Sequence, residues 1–356
     1  MKKIFPLCAL LFILIQNASA RVWRVNNNTG VQADFTTLQA AVNAAAAGDT
    51  IYLEASPTSY GGATITKRLT IIGTGYYLTD AANPKTQWNT SVSTVDHLSL
   101  NLGSAKSVIS GLYMNSYQYL NDQDITLERC YVVGNIVFGN GSNINCDDDT
   151  VRQCIISQNL VCQPSGGTFS ALREMVYNNI FLFAVVDFST NLSNTNAYFI
   201  NNDFLYPGAY YCENCVFQNN IFYGPDFTKY GSSNYFAYNI FSNDSHTSGV
   251  ATGNNNQFSK DMKTVYLAAN SQPYNSVNNP PSGLSHDGQF QLAAGSPALN
   301  AGNINGTTVD CGAYGGPAPY ILSGMPNIPS IYSLTVPNQV NSGTATINIS
   351  LSSAAH

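Results

Sequence analysis

Three consecutive aspartates, Asp147, Asp148 and Asp149, stand out in a chain in which only 10% of the residues are charged. Adjacent carboxylates can bind a cation, supply a general acid and base, or cap a turn by accepting hydrogen bonds from nearby backbone. Which of these applies depends on the side chains that the fold places beside them. The elements that position the aspartates therefore have to be inferred first.

An internal repeat runs through the middle of the chain. Its clearest units read "VYNNIF" at 176–181 and "FQNNIF" at 217–222, and the second asparagine of each unit serves as a marker. The markers, about 18 to 25 residues apart, are Gly111, Cys130, Cys154, Asn179, Asn202, Asn220 and Asn239. A repeat with a period of this length predicts a solenoid.

Apolar columns flank the markers on both sides. The residues three positions before the markers are Val108, Leu127, Val151, Val176, Phe199, Phe217 and Phe236. The residues two positions after them are Tyr113, Val132, Ile156, Phe181, Phe204, Phe222 and Phe241. The position directly before the marker is polar in the later units, at Arg129, Gln153, Asn178, Asn201 and Asn219. This pattern predicts two short strands that meet at a polar corner in every unit.

Each unit is too short to bury a core of its own, so the units are expected to stack. Coils about 4.8 Å apart would place like residues over like and bury a continuous apolar stack. The asparagine column would then form an internal ladder of hydrogen-bonded side-chain amides. Leucine-rich repeats, the alternative solenoid, are disfavoured because their spacing and their helix in each repeat are missing. The pattern predicts a parallel β-helix.

The sequence resembles the right-handed parallel β-helix proteins with the pectate-lyase-like fold. The resemblance rests on the "NNIF" corners, on "DFTTLQAAVNAAAAGDTIYL" at 34–53, and on "GSPALNAGN" at 295–303 and "DCGAYGG" at 310–316. It covers about residues 22–325 and implies an all-β, right-handed parallel β-helix with an N-terminal capping helix at 34–48. Because this fold carries lyases, hydrolases, epimerases, adhesins and inert surface proteins, the resemblance implies no single reaction.

Three segments are expected along the chain. Residues 1–20 combine Lys2 and Lys3 with an apolar run and a small-residue cleavage site, which is typical of a secretory signal peptide. Residues 21–325 form the β-helix domain, and residues 326–356 form a tail of Pro-punctuated strands. No other segment is long and apolar enough to form a transmembrane segment. We therefore expect a secreted protein, either extracellular or at the cell surface.

Charge and cysteine content exclude some partners and sites. Removing the two lysines of the signal peptide takes the formal charge from −6 to −8. An acidic chain with few basic residues cannot neutralise phosphates, which disfavours nucleic acid as a partner. The seven remaining cysteines include Cys212 and Cys215, but a zinc site would need a second such pair or two histidines. The cysteines are expected to be small buried residues, and the sequence does not decide whether one or two disulfides form among them.

The repeat register brings further ionisable residues beside the three aspartates. Counted back from the markers, the residues five to eight positions before Cys130, Cys154 and Asn179 fall at one corner of three consecutive coils. The ionisable residues at these positions, together called the acidic corner, are Asp122, Asp124, Asp147, Asp148, Asp149, Arg173 and Glu174. Carboxylates stacked one coil apart repel unless a cation, solvent or raised pKa values relieve them. Ca²⁺ is the cation expected, since it takes six to eight oxygen ligands.

Three interpretations of the acidic corner stay open. The resemblance implies that its six carboxylates hold Ca²⁺ against a uronate while Arg173 acts as the base, with Lys106 as a weaker second. Against this, residues 107–228 contain only three basic residues, and Arg152 is expected to pair with Glu128 instead. A solvated acidic turn is favoured over a structural calcium site, and both are favoured over a catalytic site. A glycoside hydrolase would need two carboxylates roughly 5–9.5 Å apart, and nothing selects a pair.

The aromatic residues suggest a different function. Aromatic faces beside Asn and Asp side chains suit sugar rings, and Tyr210, Tyr211, Tyr223 and Tyr230 are the loop tyrosines expected to bind carbohydrate. The leading expectation is a protein that binds, or displays on, extracellular or cell-surface polysaccharide. A Ca²⁺-assisted polysaccharide lyase or a glycoside hydrolase is the alternative. A structural surface protein or adhesin without a sugar ligand is the third hypothesis.

Overall fold

Three long parallel sheets organise the chain. The structure is a computed structural model that describes residues 20–83, 87–183, 186–188, 196–206, 210–224, 233–242, 254–337 and 348–354, with the backbone alone at 142, 143, 164–169 and 210. In the repeat region of the described chain, each coil passes through the first, the second and the third sheet in turn. The fold is therefore the all-β, right-handed parallel β-helix that the repeat predicts.

The strands follow one another in the same order along each sheet. The first sheet consists of Val22–Val25, Thr50–Leu53, Thr70–Ile72, Val108–Ser110, Thr126–Glu128, Thr150–Arg152, Met175–Tyr177, Tyr198–Ile200, Val216–Gln218 and Tyr235–Ala237. The second sheet consists of Thr94–Val95, Tyr113–Met114, Tyr131–Val132, Ile155–Ile156, Ile180–Phe181, Asp203–Phe204, Ile221–Phe222, Ile240–Ser242 and Gln257–Lys260. The third sheet consists of Ala63–Ile65, Leu98–Leu100, Gln118–Leu120, Ile136–Asn145, Leu160–Ser170, Val186–Asp187 and Tyr210–Tyr211.

The last part of the described chain contains short elements outside these sheets. The 3₁₀ helices are Met262–Thr264, Pro273–Ser276, Gly288–Phe290 and Leu322–Gly324. Two antiparallel hairpins pair Gly302–Ile304 with Thr307–Val309, and Ser330–Thr335 with Ser350–Ala354. The second of these is called the tail hairpin, and it contains strands in the segment where the proline-punctuated sequence predicts them.

Like residues stack on like inside the coils, as the columns predict. Two positions after the markers, the ring centroids of Phe181 and Phe204 are 4.6 Å apart, and those of Phe204 and Phe222 are 4.7 Å apart. The column three positions before the markers repeats the arrangement, with centroids 4.8 and 4.9 Å apart. These distances equal the spacing of neighbouring strands, so each ring packs flat on the ring of the next coil.

The internal amide ladder is also confirmed. Its residues are Asn179, Asn202, Asn220 and Asn239. Each side-chain nitrogen donates to the Oδ1 of the next asparagine at 3.0 or 3.1 Å, and each backbone nitrogen donates to the same oxygen at 2.8 to 3.0 Å. One coil earlier, Cys130 N donates to Cys154 Sγ at 3.4 Å. All seven cysteines beyond residue 20 are buried, and none forms a disulfide.

The first repeat unit lies one residue away from the predicted register. Ile109 pairs with Leu127 of the next coil, where the sequence analysis placed Val108. The marker of this unit is therefore Leu112, and Gly111 lies one position before it. Gly111 has a φ of 69°, and the position before the marker has a positive φ in the following coils as well. Glycine adopts this conformation without strain, so it indicated the corner rather than the marker.

A short helix lies at the start of the coils. The sequence predicts it within 34–48, and the structure has it at Leu38–Ala44, where Leu38, Ala41 and Val42 are buried. The side chain of Thr37 accepts a hydrogen bond from the Ala40 nitrogen and caps its first turn. The helix contacts the strands Val22–Val25, Thr50–Leu53 and Ala63–Ile65, so it acts as the predicted cap. None of the helices in the described residues has the length and apolar surface to cross a membrane.

The chain returns along the outside of the coils after the last repeat. This segment, residues 302–326, is called the strap. The polar side chains one position before the markers donate to strap carbonyls, in the order Asn219 to Asn303, Asn201 to Asp310, Asn178 to Ala313, Gln153 to Pro319 and Arg129 to Met325. Because the donors come from successive coils in reverse order, the strap runs antiparallel to the direction in which the coils stack.

Candidate functional site

The acidic corner has the register that the repeat predicts. Asp148 lies opposite Arg173 of the next coil, and Asp149 opposite Glu174, because the strands that follow them pair in register. The φ angles of Asp124, Asp148 and Arg173 are 58°, 64° and 65°. Asp and Asn tolerate this left-handed backbone better than other residues with a side chain. The corner conformation therefore accounts for part of the aspartate enrichment.

Two ion pairs link neighbouring coils on the outer surface. The guanidinium of Arg173 binds both carboxylate oxygens of Asp148, at 2.7 Å from Nε and 2.6 Å from Nη2. The hydrogen bonds of this pair lower the pKa of Asp148 and raise that of Arg173. A more firmly protonated guanidinium opposes the base role expected of Arg173, which stays a prediction. The predicted pair of Arg152 and Glu128 is confirmed, with Nε 2.8 Å from Oε2.

Two further carboxylates of the corner accept hydrogen bonds from turns. The Oδ1 atom of Asp147 accepts from Ser170 Oγ at 2.5 Å and from Leu172 N at 3.0 Å. The Oδ2 atom of Asp122 accepts from the backbone nitrogens of Gly103 and Ala105, both at 2.8 Å. These contacts satisfy backbone donors that the strands leave unpaired at the corners. Asp122 and Asp147 thus have a structural role in this arrangement.

Asp149 and Glu174 point into the coil instead of into solvent, and both side chains are completely buried. Asp149 Oδ1 accepts from Ile125 N at 2.7 Å, and Glu174 Oε2 accepts from Asp149 N at 2.9 Å. The other oxygen of each carboxyl group, Asp149 Oδ2 and Glu174 Oε1, has no hydrogen-bond partner. Burial raises the pKa of both groups, and the charge of each neighbouring carboxylate adds to the effect. A neutral, protonated pair is the form that this interior favours.

The arrangement of the corner does not gather the oxygen ligands that Ca²⁺ requires. Asp148 is turned outward onto Arg173, whereas Asp149 and Glu174 are turned inward. Within the described ranges, no group of three or more His, Cys, Asp or Glu side chains is placed to hold a metal ion. A calcium site needs six to eight oxygens around one point. Calcium binding at this corner therefore stays a prediction that this geometry does not favour.

The tyrosines predicted to bind carbohydrate lie in different environments. Tyr230 lies outside the described residues, and only the backbone of Tyr210 is described. Tyr223 is 5% exposed and its ring centroid lies 5.5 Å from that of Tyr274. The expectation that Tyr223 offers a free ring to a sugar is wrong, because the residues after the last coil cover it. Tyr211 is half-buried in the third sheet, and its role stays a prediction.

An open cleft, which the sequence analysis missed, lies where the tail hairpin meets the first coils. It has a volume of about 590 Å³, and Trp88 on its wall is 61% exposed. The backbone nitrogen of Trp88 donates to the carbonyl of Ile331 at 2.7 Å and fixes the tail hairpin beside it. The aromatic and amide side chains of its wall are Asn26, Asn28, Tyr52, Gln87, Trp88 and Asn89. The sequence signal was an isolated tryptophan between polar residues, in a loop outside the repeat.

A buried polar network anchors the loop that carries Trp88. Asp287, which is completely buried, accepts from Asn83 Nδ2 at 2.9 Å and from the Tyr320 hydroxyl at 3.2 Å. The hydroxyl oxygens of Tyr76 and Tyr320 are 2.6 Å apart. Burial raises the pKa of both tyrosines, so their hydroxyl groups stay protonated and can donate. Since Tyr76 and Asn83 precede Trp88 and Tyr320 belongs to the strap, the network fixes the loop to the strap.

Comparison with known proteins shows a structural similarity but no sequence similarity. No protein-family model matches the chain, and no curated protein sequence matches it. Among solved structures, the chain is similar to the pectate lyase Pel9A, with 14% sequence identity and a TM-score of 0.39. The similarity covers 83% of this chain and 96% of that chain. The assignment of the fold rests on the three parallel sheets themselves.

Proposed function

We propose that the protein is exported and binds extracellular polysaccharide in the cleft beside Trp88. The observation that carries this proposal is a tryptophan side chain held 61% exposed on the wall of a cleft of about 590 Å³. An isolated large aromatic ring costs free energy when it is left in water. The backbone of Trp88 is fixed on the tail hairpin, so the ring is positioned before any ligand arrives. This positioning reduces the entropy lost on binding.

The chemistry of the cleft wall suits a sugar. The apolar C–H face of a pyranose ring packs on an indole, and sugar hydroxyl groups both donate and accept hydrogen bonds. The amides of Asn26, Asn28, Gln87 and Asn89 also offer donors and acceptors. Ligand sites of this kind combine an aromatic surface with a few polar groups that fix the orientation of the ligand.

The acidic corner gives less support to an enzyme. Arg173 is engaged by Asp148 in a bidentate ion pair, and Asp149 and Glu174 are buried away from any polymer on the surface. A lyase or a glycoside hydrolase needs its acid and base in contact with the substrate. We therefore place binding ahead of cleavage, and a structural protein without a ligand is the third possibility.

Tryptophan fluorescence provides a direct test, because the chain has two tryptophans. In the Trp23→Phe protein, Trp88 is the only tryptophan, and its emission should shift to shorter wavelength as soluble polysaccharide fills the cleft. Trp88→Ala should lose binding in affinity electrophoresis, whereas Tyr235→Ala should not. Tyr235 is the matched control, since it is 50% exposed but lies on the last strand of the first sheet. Equal binding by both alanine variants would reject this site.

A further inference from the structure

We infer that the cleft takes uncharged polysaccharide and rejects uronate polymers, an inference that rests on the proposed function. Of the described residues that line the cleft, only Glu54 carries a charge, and that charge is negative. No described lysine or arginine lies on its wall. A uronate carboxylate entering the cleft would lose hydration and gain no cationic partner there.

Among the described residues, the cation that pairs with this carboxylate is Arg24, and its guanidinium is already engaged. Arg24 Nε donates to Glu54 Oε1 at 2.5 Å, and Asn26 Nδ2 donates to Glu54 Oε2 at 2.7 Å. Hydrogen bonding and the charge of Glu54 raise the pKa of Arg24. To bind Arg24, a uronate would have to displace Glu54 and leave that carboxylate beside a second negative charge. The formal net charge of −6 also repels polyanions at long range.

The remaining polar groups of the wall are neutral. Asn89 Oδ1 accepts from the Ser91 nitrogen at 3.0 Å, which leaves the amide nitrogen of Asn89 to donate to a ligand. Burial raises the pKa of Tyr52, so its phenol stays neutral and keeps a hydroxyl group that donates and accepts. Sugar hydroxyl groups satisfy such donors and acceptors without bringing in a charge. The described wall thus matches a neutral glycan in its hydrogen-bonding groups and in its charge.

A matched pair of polymers separates charge from shape. Polygalacturonate and carboxyl-reduced polygalacturonate differ in the carboxyl group alone, and neutral glucan, xylan and mannan extend the panel. At 150 mM salt we expect at least one neutral polymer to bind at least tenfold more tightly than polygalacturonate. This binding should be lost in Trp88→Ala, whose fold is checked by circular dichroism.

Each outcome bears on a separate claim. Polygalacturonate that binds as tightly as the neutral polymers, and needs Trp88, would overturn the inference and keep the proposed function. If no polymer binds, or if Trp88→Ala does not weaken binding, both the inference and the proposed function are overturned. Glu54→Gln removes the negative charge and frees Arg24, so the affinity for polygalacturonate should rise several-fold relative to the affinity for the neutral polymers. An unchanged ratio of the two affinities would remove Glu54 as the cause of the rejection.

Discussion

The acidic corner contains six carboxylates and one guanidinium, whereas the described wall of the Trp88 cleft contains a single charged side chain. In the corner, Asp122, Asp147 and Asp148 are occupied by backbone or side-chain donors of the protein itself. In the cleft, Trp88 keeps most of its surface in solvent. The protein itself can therefore fill the hydrogen-bonding capacity of a dense group of ionisable side chains. An exposed aromatic side chain with few charges around it remains available for a ligand.

This difference has a physical origin in the stacking of the coils. Parallel coils repeat the same corner about every 4.8 Å, so polar residues at one corner meet each other and bond. Trp88 lies in a loop that does not repeat, and its side chain is left 61% exposed.

The largest effect is expected at the buried network that anchors the loop carrying Trp88. Asp287→Ala should lower the free energy of unfolding by about 3–5 kcal/mol, because Asn83, Tyr320 and Ser323 would lose a buried acceptor. Urea unfolding followed by circular dichroism measures this loss. The control is Asp148→Ala, an exposed carboxylate of the acidic corner. A loss of less than 1 kcal/mol for Asp287→Ala would show that the network does not support the loop.

The next effect concerns ligand affinity at the cleft. Trp88→Ala should weaken polysaccharide binding by about 2 kcal/mol, or roughly thirtyfold, because the central aromatic contact is removed. Its stability should change little, since the side chain is exposed. Isothermal titration calorimetry gives the affinity, and Arg173→Ala serves as the control at the acidic corner. If Arg173→Ala weakens binding as strongly as Trp88→Ala, the ligand site is not confined to the cleft and the contrast between the two regions is wrong.

The buried pair of the corner should make stability depend on pH. The folded-state pKa values of Asp149 and Glu174 are raised, so their contribution is present below the unfolded values of about 4 and is lost as pH rises through the folded values. The free energy of unfolding should thus fall as pH rises above about 4, until the raised folded-state values have been passed. Glu174→Gln should reduce this fall by about 1–2 kcal/mol, because the amide stays neutral at every pH and one of the two titrating groups is removed.

Thermal unfolding at several pH values measures this dependence. Asp148→Asn is the matched control, since the pKa of Asp148 is lowered by its bond to Arg173 and its contribution is lost only as pH falls below about 4. Asp203, another buried carboxyl group with a raised pKa, should leave some of the slope in Glu174→Gln. Identical slopes in Glu174→Gln and the unmodified protein would contradict the assignment of this pH dependence to the buried pair.

The smallest effect is expected on the outer surface of the acidic corner. Asp148→Ala and Arg173→Ala should each lower stability by no more than about 1 kcal/mol, because both side chains are about half exposed. Calcium titration calorimetry on the unmodified protein should show no site that these variants abolish. Calcium binding lost in Asp148→Ala, with uronate cleavage lost in Arg173→Ala, would instead support the lyase hypothesis.

The repeat and its interior could be predicted from the sequence. The apolar columns identified the stacked rings, and the asparagine column identified the ladder of Asn179, Asn202, Asn220 and Asn239. The apolar columns recur in successive coils and the asparagine column in the later ones, so several copies support the same register. The error at Gly111 arose in the first unit, where no asparagine marks the corner and a glycine with φ of 69° occupies the position before the marker.

The strap and the cleft could not be predicted in the same way. The polar residues before the markers indicated a corner, but nothing in the sequence shows that Gln153 and Asn178 donate to residues 313–319. Such contacts join residues more than 130 positions apart and occur once. The same holds for Trp88 and Ile331, whose contact creates the cleft. A single long-range contact leaves no periodic signal in one sequence.

The strap changes how the molecule is expected to unfold. In an ordinary solenoid each repeat touches only its neighbours, so the array can fray from one end, one coil at a time. Here a continuous segment is bonded to five coils in succession, from Asn219 to Arg129. Opening any of these coils also detaches part of that segment from the others. The strap thus couples the coils into one cooperative unit, in which amide hydrogen exchange of the middle coils would require a common opening.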